Sequence, residues 1–159
     1  MANEAVGGRV SESARNLAYI NYGLLFASLF FAGVPALIAA IIAYSQQDEA
    51  PPTIRSHHRF QIRIFWVAFA LAVAAGLSFL GVVIRITGEV FEFTQITGWD
   101  THDNVKLDLS NVTLDGTLVA LLTSTGLFSA LGGVWLVLAP AYGFVRLASE
   151  RGMGHSARL

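Results

Sequence analysis

The sequence predicts an all-α membrane protein: three transmembrane helices, with a short extramembrane β-hairpin-like insertion between the second and third. Three observations lead there. Hydrophobic residues make up 54% of the chain and charged residues only 13%, about half of the roughly 25% that a soluble domain carries. The apolar residues come in long blocks without charge, and an uncharged run of about 18 or more reads as a span, because roughly 20 helical residues cross about 30 Å of hydrocarbon. The acidic residues, by contrast, concentrate: six of the eleven lie within residues 87–116.

The first predicted span, Leu17 to Tyr44, reads "LAYINYGLLFASLFFAGVPALIAAIIAY" and holds no ionisable Asp, Glu, Lys, Arg or His. Its roughly 28 residues would measure about 42 Å as one helix. That exceeds the hydrocarbon, so the helix must tilt, protrude or bend. Gly33 and Pro35 offer the bend, since proline removes a helix hydrogen bond. The alternative is two half-helices folded as a re-entrant hairpin around "GVP". The cost of leaving free backbone groups in lipid speaks for the single span. "SQQDEAPPTI", residues 45–54, is then a short loop.

The second span, Ile64 to Ile84, opens on Phe65 and Trp66, aromatic rings suited to the headgroup level, and closes at Arg85. Residues 87–116 differ in kind. "EVFEFTQI" and "KLDLSNVTL" alternate apolar and polar residues around the turn-rich "TGWDTHDN", which suggests a small hairpin. An isolated hairpin is marginal in water, so it would need helix ends or a partner to pack on. The third span, Leu118 to Val145, pairs Gly126 with Ala130 and Ser129 with Gly133 at intervals of four. Such spacing lets helix backbones approach closely, either for packing within the chain or as a face for a partner. Pro140 should kink it. With polar termini at 1–16 and 146–159, the whole forms a single membrane domain.

Composition also excludes classes. Cysteine is absent, which removes disulfides, thiol catalysis and thiolate metal sites. The net charge of −1 comes with no basic domain for nucleic acid. The N-terminus lacks an apolar stretch beside a basic one, so no cleaved signal peptide is expected. With three spans, residues 45–63 and the C-terminus share a side, holding Arg55, Arg59, Arg63, Arg146, Arg151 and Arg158. Arg9, Arg15, Arg85 and Lys106 lie on the other. The positive-inside rule makes the first side cytoplasmic and the 87–116 loop periplasmic. A hairpin in the first segment would move the N-terminus inside.

Charge gathers most at "SHHRFQIRIFW", residues 56–66. Arg55, Arg59 and Arg63 are four apart, so a helix starting near Ser56 as N-cap would line them along one side. There they can snorkel to phosphates and anchor the span. His57 and His58 point about 100° apart on a helix and cannot both grip one ion. His102 and His155 fall on opposite sides of the expected membrane. No metal site or cofactor is therefore expected within one chain.

Ser56, His57, Phe60, Gln61, Ile62, Arg63, Phe65 and Trp66 match the "SH-x-x-FQIRTFW" signature of a family of small bacterial inner-membrane proteins. The family is related to the DUF4870 group and shares a Tic20-like membrane architecture. "YINYGLLF", "GVPALIAAIIAY" and "DEAPPTIR" resemble its first span and acidic, proline-containing loop, so the resemblance covers about residues 17–86. "WLVLAPAYGFVRLASERG" is a weaker echo of its last span. Ile64 replaces the usual threonine, and residues 87–116 look like an insertion. The resemblance implies a fold and an inner-membrane location, and no reaction.

These observations point to a multi-pass protein without catalytic activity, an accessory, assembly or interaction subunit of a membrane complex. Its partners would be membrane lipids together with another protein or its own copies. A homo-oligomeric passive pore is the alternative, although the spans lack the ionisable residues that transport sites usually carry. Lipid or cofactor binding, with Arg59, Arg63 and Trp66 at an anionic headgroup, is another. An enzyme would have to use Glu89, Glu92, Asp100, His102, Asp103 and Asp108, but no triad, phosphate loop or HExxH pattern accompanies them.

Overall fold

The computed structural model describes residues 2–93 and 114–153, with side chains for 12–88 and 114–153. Among these residues four helices form: α1 (Ala2–Ala27), α2 (Val34–Gln46), α3 (Pro52–Phe93) and α4 (Gly116–Ala148). All secondary structure among the described residues is helical. Residues 89–93, expected to begin a strand, instead continue α3. Propagating an existing helix fixes one residue per added hydrogen bond, and a five-residue alternation does not compete with that. The rest of the expected hairpin, the "NVT" triplet at 111–113, and Asp100, His102, Asp103 and Asp108 lie outside the described residues.

The first apolar segment is two helices, so the expectation of one long span is corrected. The break has a clear backbone cause. Ala32 and Gly33 adopt positive φ values of 49° and 80°, a left-handed conformation that glycine takes freely. Pro35 then stands in the first turn of α2, where its missing N–H costs nothing. The turn satisfies its own backbone. The amide of Gly33 donates to the Ser28 carbonyl at 3.0 Å, that of Val34 to Phe31 at 3.1 Å, and that of Phe30 to Ala27 at 3.0 Å. This removes the argument against a hairpin, because few groups are left unpaired. The 13 residues of α2 rise about 20 Å, too short to cross about 30 Å of hydrocarbon.

Among the described residues, two helices are long and apolar enough to cross a membrane: α3 over Pro52–Gly88 and α4 over Gly116–Ala148. They contain the second and third expected spans. Hardly any residue of their most apolar stretches is buried, unlike the core helix of a soluble protein. α3 begins at Pro52, so the loop after α2 is shorter than expected and Ser56 lies inside the helix rather than capping it.

The chain divides into two compact units. One comprises residues 1–70 and 131–159: α1, α2, the first part of α3 and the later part of α4. Its core holds Ala18, Tyr22, Leu25, Ala36, Ala39, Ile54, Ile64, Ala139 and Leu147. The facing alanines of α2 let it lie close against α1. The other unit, residues 71–130, joins the later part of α3 to the start of α4. There Gly81 leaves room for the Leu121 side chain, Val82 and Leu118 are buried, and Arg85 Nη2 donates to Asp115 Oδ2 at 2.7 Å.

Candidate functional site

The start of α3 places a band of polar side chains inside the first unit. His57, His58 and Gln61 are at most 1% exposed, as are Asn21 and Tyr22 of α1. Buried polar groups must be hydrogen-bonded or they destabilise the fold. Here they bond to one another, to the backbone of α1 and α2, and to the segment that follows α4.

Gln61 is the hub. Its Nε2 donates to the Ala18 carbonyl at 2.9 Å. Its Oε1 accepts from Asn21 Nδ2 at 2.9 Å and from His58 Nδ1 at 3.0 Å. Asn21 Nδ2 also donates to the Ala39 carbonyl of α2 at 2.9 Å. One amide pair thus ties both arms of the helical hairpin to α3. Asn21 Oδ1 is buried with no partner among the described residues.

His57 forms a second chain. A carbonyl can only accept, so His57 Nε2 donates to the Arg151 carbonyl at 3.0 Å. In the neutral ring Nδ1 then accepts from the Tyr22 hydroxyl at 2.9 Å. Ser56 Oγ donates to the Thr53 carbonyl at 2.6 Å and accepts from the Met153 amide at 2.8 Å. Adjacent residues of α3 therefore hold the segment that follows α4. Gly143 makes this possible, because a Cβ there would overlap the Tyr22 ring.

Of the charged residues here, Arg59 and Arg63 face outward and Arg55 is half-buried. Arg55 Nη2 donates to the Asp48 carbonyl at 2.8 Å, closing the turn after α2. Arg59 and Arg63 are exposed one helical turn apart. Phe65 lies 5.5 Å from the Trp66 ring and 5.9 Å from Phe69, and Trp66 Nε1 donates to the Tyr44 hydroxyl of α2 at 2.8 Å. Phe60 is half-buried, its ring 6.3 Å from Tyr142. Together with Leu131, Val134, Trp135, Leu138 and Ala139 these two rings line an apolar groove of about 460 Å³.

The residues expected together at the interface thus divide: Arg59 and Arg63 are exposed, whereas His57, His58 and Gln61 are buried. The histidines are interior, and they point to different partners, as their angular separation requires. No group of three metal-ligating side chains occurs among the described residues. Of the small residues on α4, Gly126, Ser129 and Ala130 are exposed, and a Cβ at Gly133 would stand in van der Waals contact with Leu29. The sequence did not single out Asn21, Tyr22 or Gly143 as members of a site. The one available signal was an amide in the middle of an otherwise apolar run.

Fold and junction together define a structure that is all-helical among the described residues, in which a short helical hairpin is pinned to long apolar helices by a buried polar network. No family model, curated protein or solved structure matches the chain.

Proposed function

We propose that the chain is a multi-pass inner-membrane protein of a bacterium, acting as an accessory or assembly subunit of a membrane complex. The observation that carries this reading is the outward placement of Gly126, Ser129 and Ala130 on α4. A side chain at Gly126 would meet nothing within 4 Å, Ser129 and Ala130 are likewise exposed, and their spacing suits close approach of another helix. Around them Val119, Leu122, Leu127 and Leu131 are also exposed, an apolar surface of the kind that lipid or a partner covers.

The polar residues of the 56–61 motif support a structural role for it, since their hydrogen bonds are spent on the chain's own helices. The resemblance of that motif to a bacterial inner-membrane family agrees. With α1 and α2 as a hairpin, the N-terminal flank lies on the same side as residues 45–63 and the C-terminus. The Arg15–Glu150 ion pair at 3.3 Å is in keeping with that. Eight of the ten basic residues, all but Arg85 and Lys106, then share one side. This strengthens the assignment of that side to the cytoplasm and of residues 87–116 to the periplasm.

Gentle detergent extraction from the native membrane, native sizing and mass spectrometry of what co-migrates test the proposal. A stoichiometric partner that is lost in Gly126→Leu/Ala130→Leu supports it. A lone monomer in the parent chain refutes it. A lone homo-oligomer favours the pore, which flux assays in vesicles would then examine.

A further inference from the structure

We propose that the groove between the start of α3 and the later part of α4 binds one acyl chain of an anionic phospholipid, whose phosphate is held by Arg59 and Arg63. The inference rests on the membrane location proposed above and is independent of the accessory role.

The groove is lined by Phe60, Val134, Trp135, Leu138 and Tyr142 among others, and is almost wholly apolar. Its direction is defined by two contacts. Phe60 meets Tyr142, and Trp135 Nε1, further along, donates to the Ile64 carbonyl at 3.2 Å. The two helices therefore run antiparallel, and the groove extends from the arginine-bearing start of α3 toward Leu131. From Tyr142 to Leu131 the helical rise is about 16 Å, close to the depth of one leaflet, half of about 30 Å.

Charge stands on α3 beside this part of the groove. Arg59 directly precedes Phe60 and Arg63 follows it by one turn. Both are exposed, and neither has an ion-pair or hydrogen-bond partner among the described residues. Arg146, by contrast, is already committed. Its Nη1 donates to the Tyr142 hydroxyl at 2.9 Å and its Nη2 to the Gly152 carbonyl at 2.7 Å. It holds the mouth in shape, and the two free guanidinium groups remain for a phosphate, whose oxygens they match in hydrogen-bond geometry. A second copy of the chain would have to bury these arginines or supply acids opposite them. A lipid meets both requirements at once, with tail in the groove and headgroup at the interface.

Trp135 provides the probe. In Trp66→Phe/Trp99→Phe it is the remaining tryptophan, and bromines on a lipid chain quench it only on contact. The protein is reconstituted into phosphatidylcholine vesicles, its retention checked by flotation, and titrated with dibrominated phosphatidylglycerol or dibrominated phosphatidylcholine. The expected result is a preference of roughly tenfold for phosphatidylglycerol, from two cationic side chains at the surface. Arg59→Gln/Arg63→Gln should abolish the preference while leaving phosphatidylcholine quenching intact, and Val134→Phe should abolish it by filling the groove. Equal quenching in the parent protein overturns the proposal, as does a preference that survives either variant. No quenching by either lipid in floating vesicles means that protein covers the groove, which also overturns it. Failure to float would instead refute the membrane location itself.

Discussion

Asn21 and Gln61, forty residues apart, meet side chain to side chain in the interior, with Asn21 Nδ2 donating to Gln61 Oε1 at 2.9 Å. The pair closes the helical hairpin, because the same Asn21 nitrogen reaches the Ala39 carbonyl and the same Gln61 side chain reaches the Ala18 carbonyl. Three helices are thereby fixed in one register by two amides.

Gln61→Ala should therefore destabilise the protein well beyond the loss of its own bonds. It strands His58 Nδ1 and half of the Asn21 amide in a buried place, and each orphaned group costs about 1–3 kcal/mol. With partial relaxation, roughly 2–5 kcal/mol is expected. Thermal unfolding in detergent measures it, with Arg63→Gln as an exposed control. A Gln61→Ala transition matching the control would show that the network contributes little.

Gly143 and Tyr22 make a second testable pair. The ring is 1% exposed and its hydroxyl is bonded to His57, so it cannot swing away from a new methyl group without leaving a ring nitrogen unpaired. Gly143→Ala should cost about 1–3 kcal/mol through overpacking. Adding Tyr22→Ala should make the alanine at 143 nearly neutral, so that the two changes are strongly non-additive. Additive losses in the double variant would rule out the contact as the cause.

How far the sequence discloses this architecture depends on the range of the signal. The spans in α3 and α4 follow from uncharged runs, which are local. The break at Gly33 was also signalled locally, by glycine and proline together. What sequence could not weigh was that the Ser28–Val34 turn bonds its own backbone groups, which is what makes a hairpin acceptable. The interior position of His57, His58 and Gln61 was hidden for another reason. Beside Arg55, Arg59 and Arg63 they read as members of one wet, charged cluster. Their partners Asn21, Tyr22 and Arg151 are distant in the chain, and the space for Tyr22 depends on a glycine more than a hundred residues away.

The segment after α4 is held by His57 Nε2 at the Arg151 carbonyl and by Ser56 Oγ at the Met153 amide. The peptide bond following Arg151 is a trypsin site whose carbonyl is engaged. Ser56→Ala/His57→Ala should release it and speed cleavage there. Losing hydrogen bonds of about 0.5–1.5 kcal/mol each predicts an acceleration of roughly 5- to 100-fold when cleavage follows the open population. Mass spectrometry of the nicked chain over time gives the rate. An unchanged rate would mean that the segment is open already.

In the second unit, the Asp115 carboxylate caps α4, its Oδ1 accepting from the Leu118 amide at 2.8 Å. That backbone hydrogen bond, and next to it the Arg85 guanidinium, hold its pKa below the usual carboxylate value. A group whose pKa is lowered by folding stabilises the folded state above its unfolded pKa, near 3.9, and loses that contribution as pH falls through the folded value. The first turn of α4 should thus be insensitive to pH between 7 and 5 and should fray below about pH 4. Amide hydrogen exchange at Thr117 and Leu118 reads this directly. Asp115→Asn, which keeps the acceptor and removes the charge, should exchange faster than the parent at neutral pH and show no further change on acidification beyond the intrinsic chemistry. If the parent and Asp115→Asn show the same protection at both pH values, the carboxylate does not cap the helix.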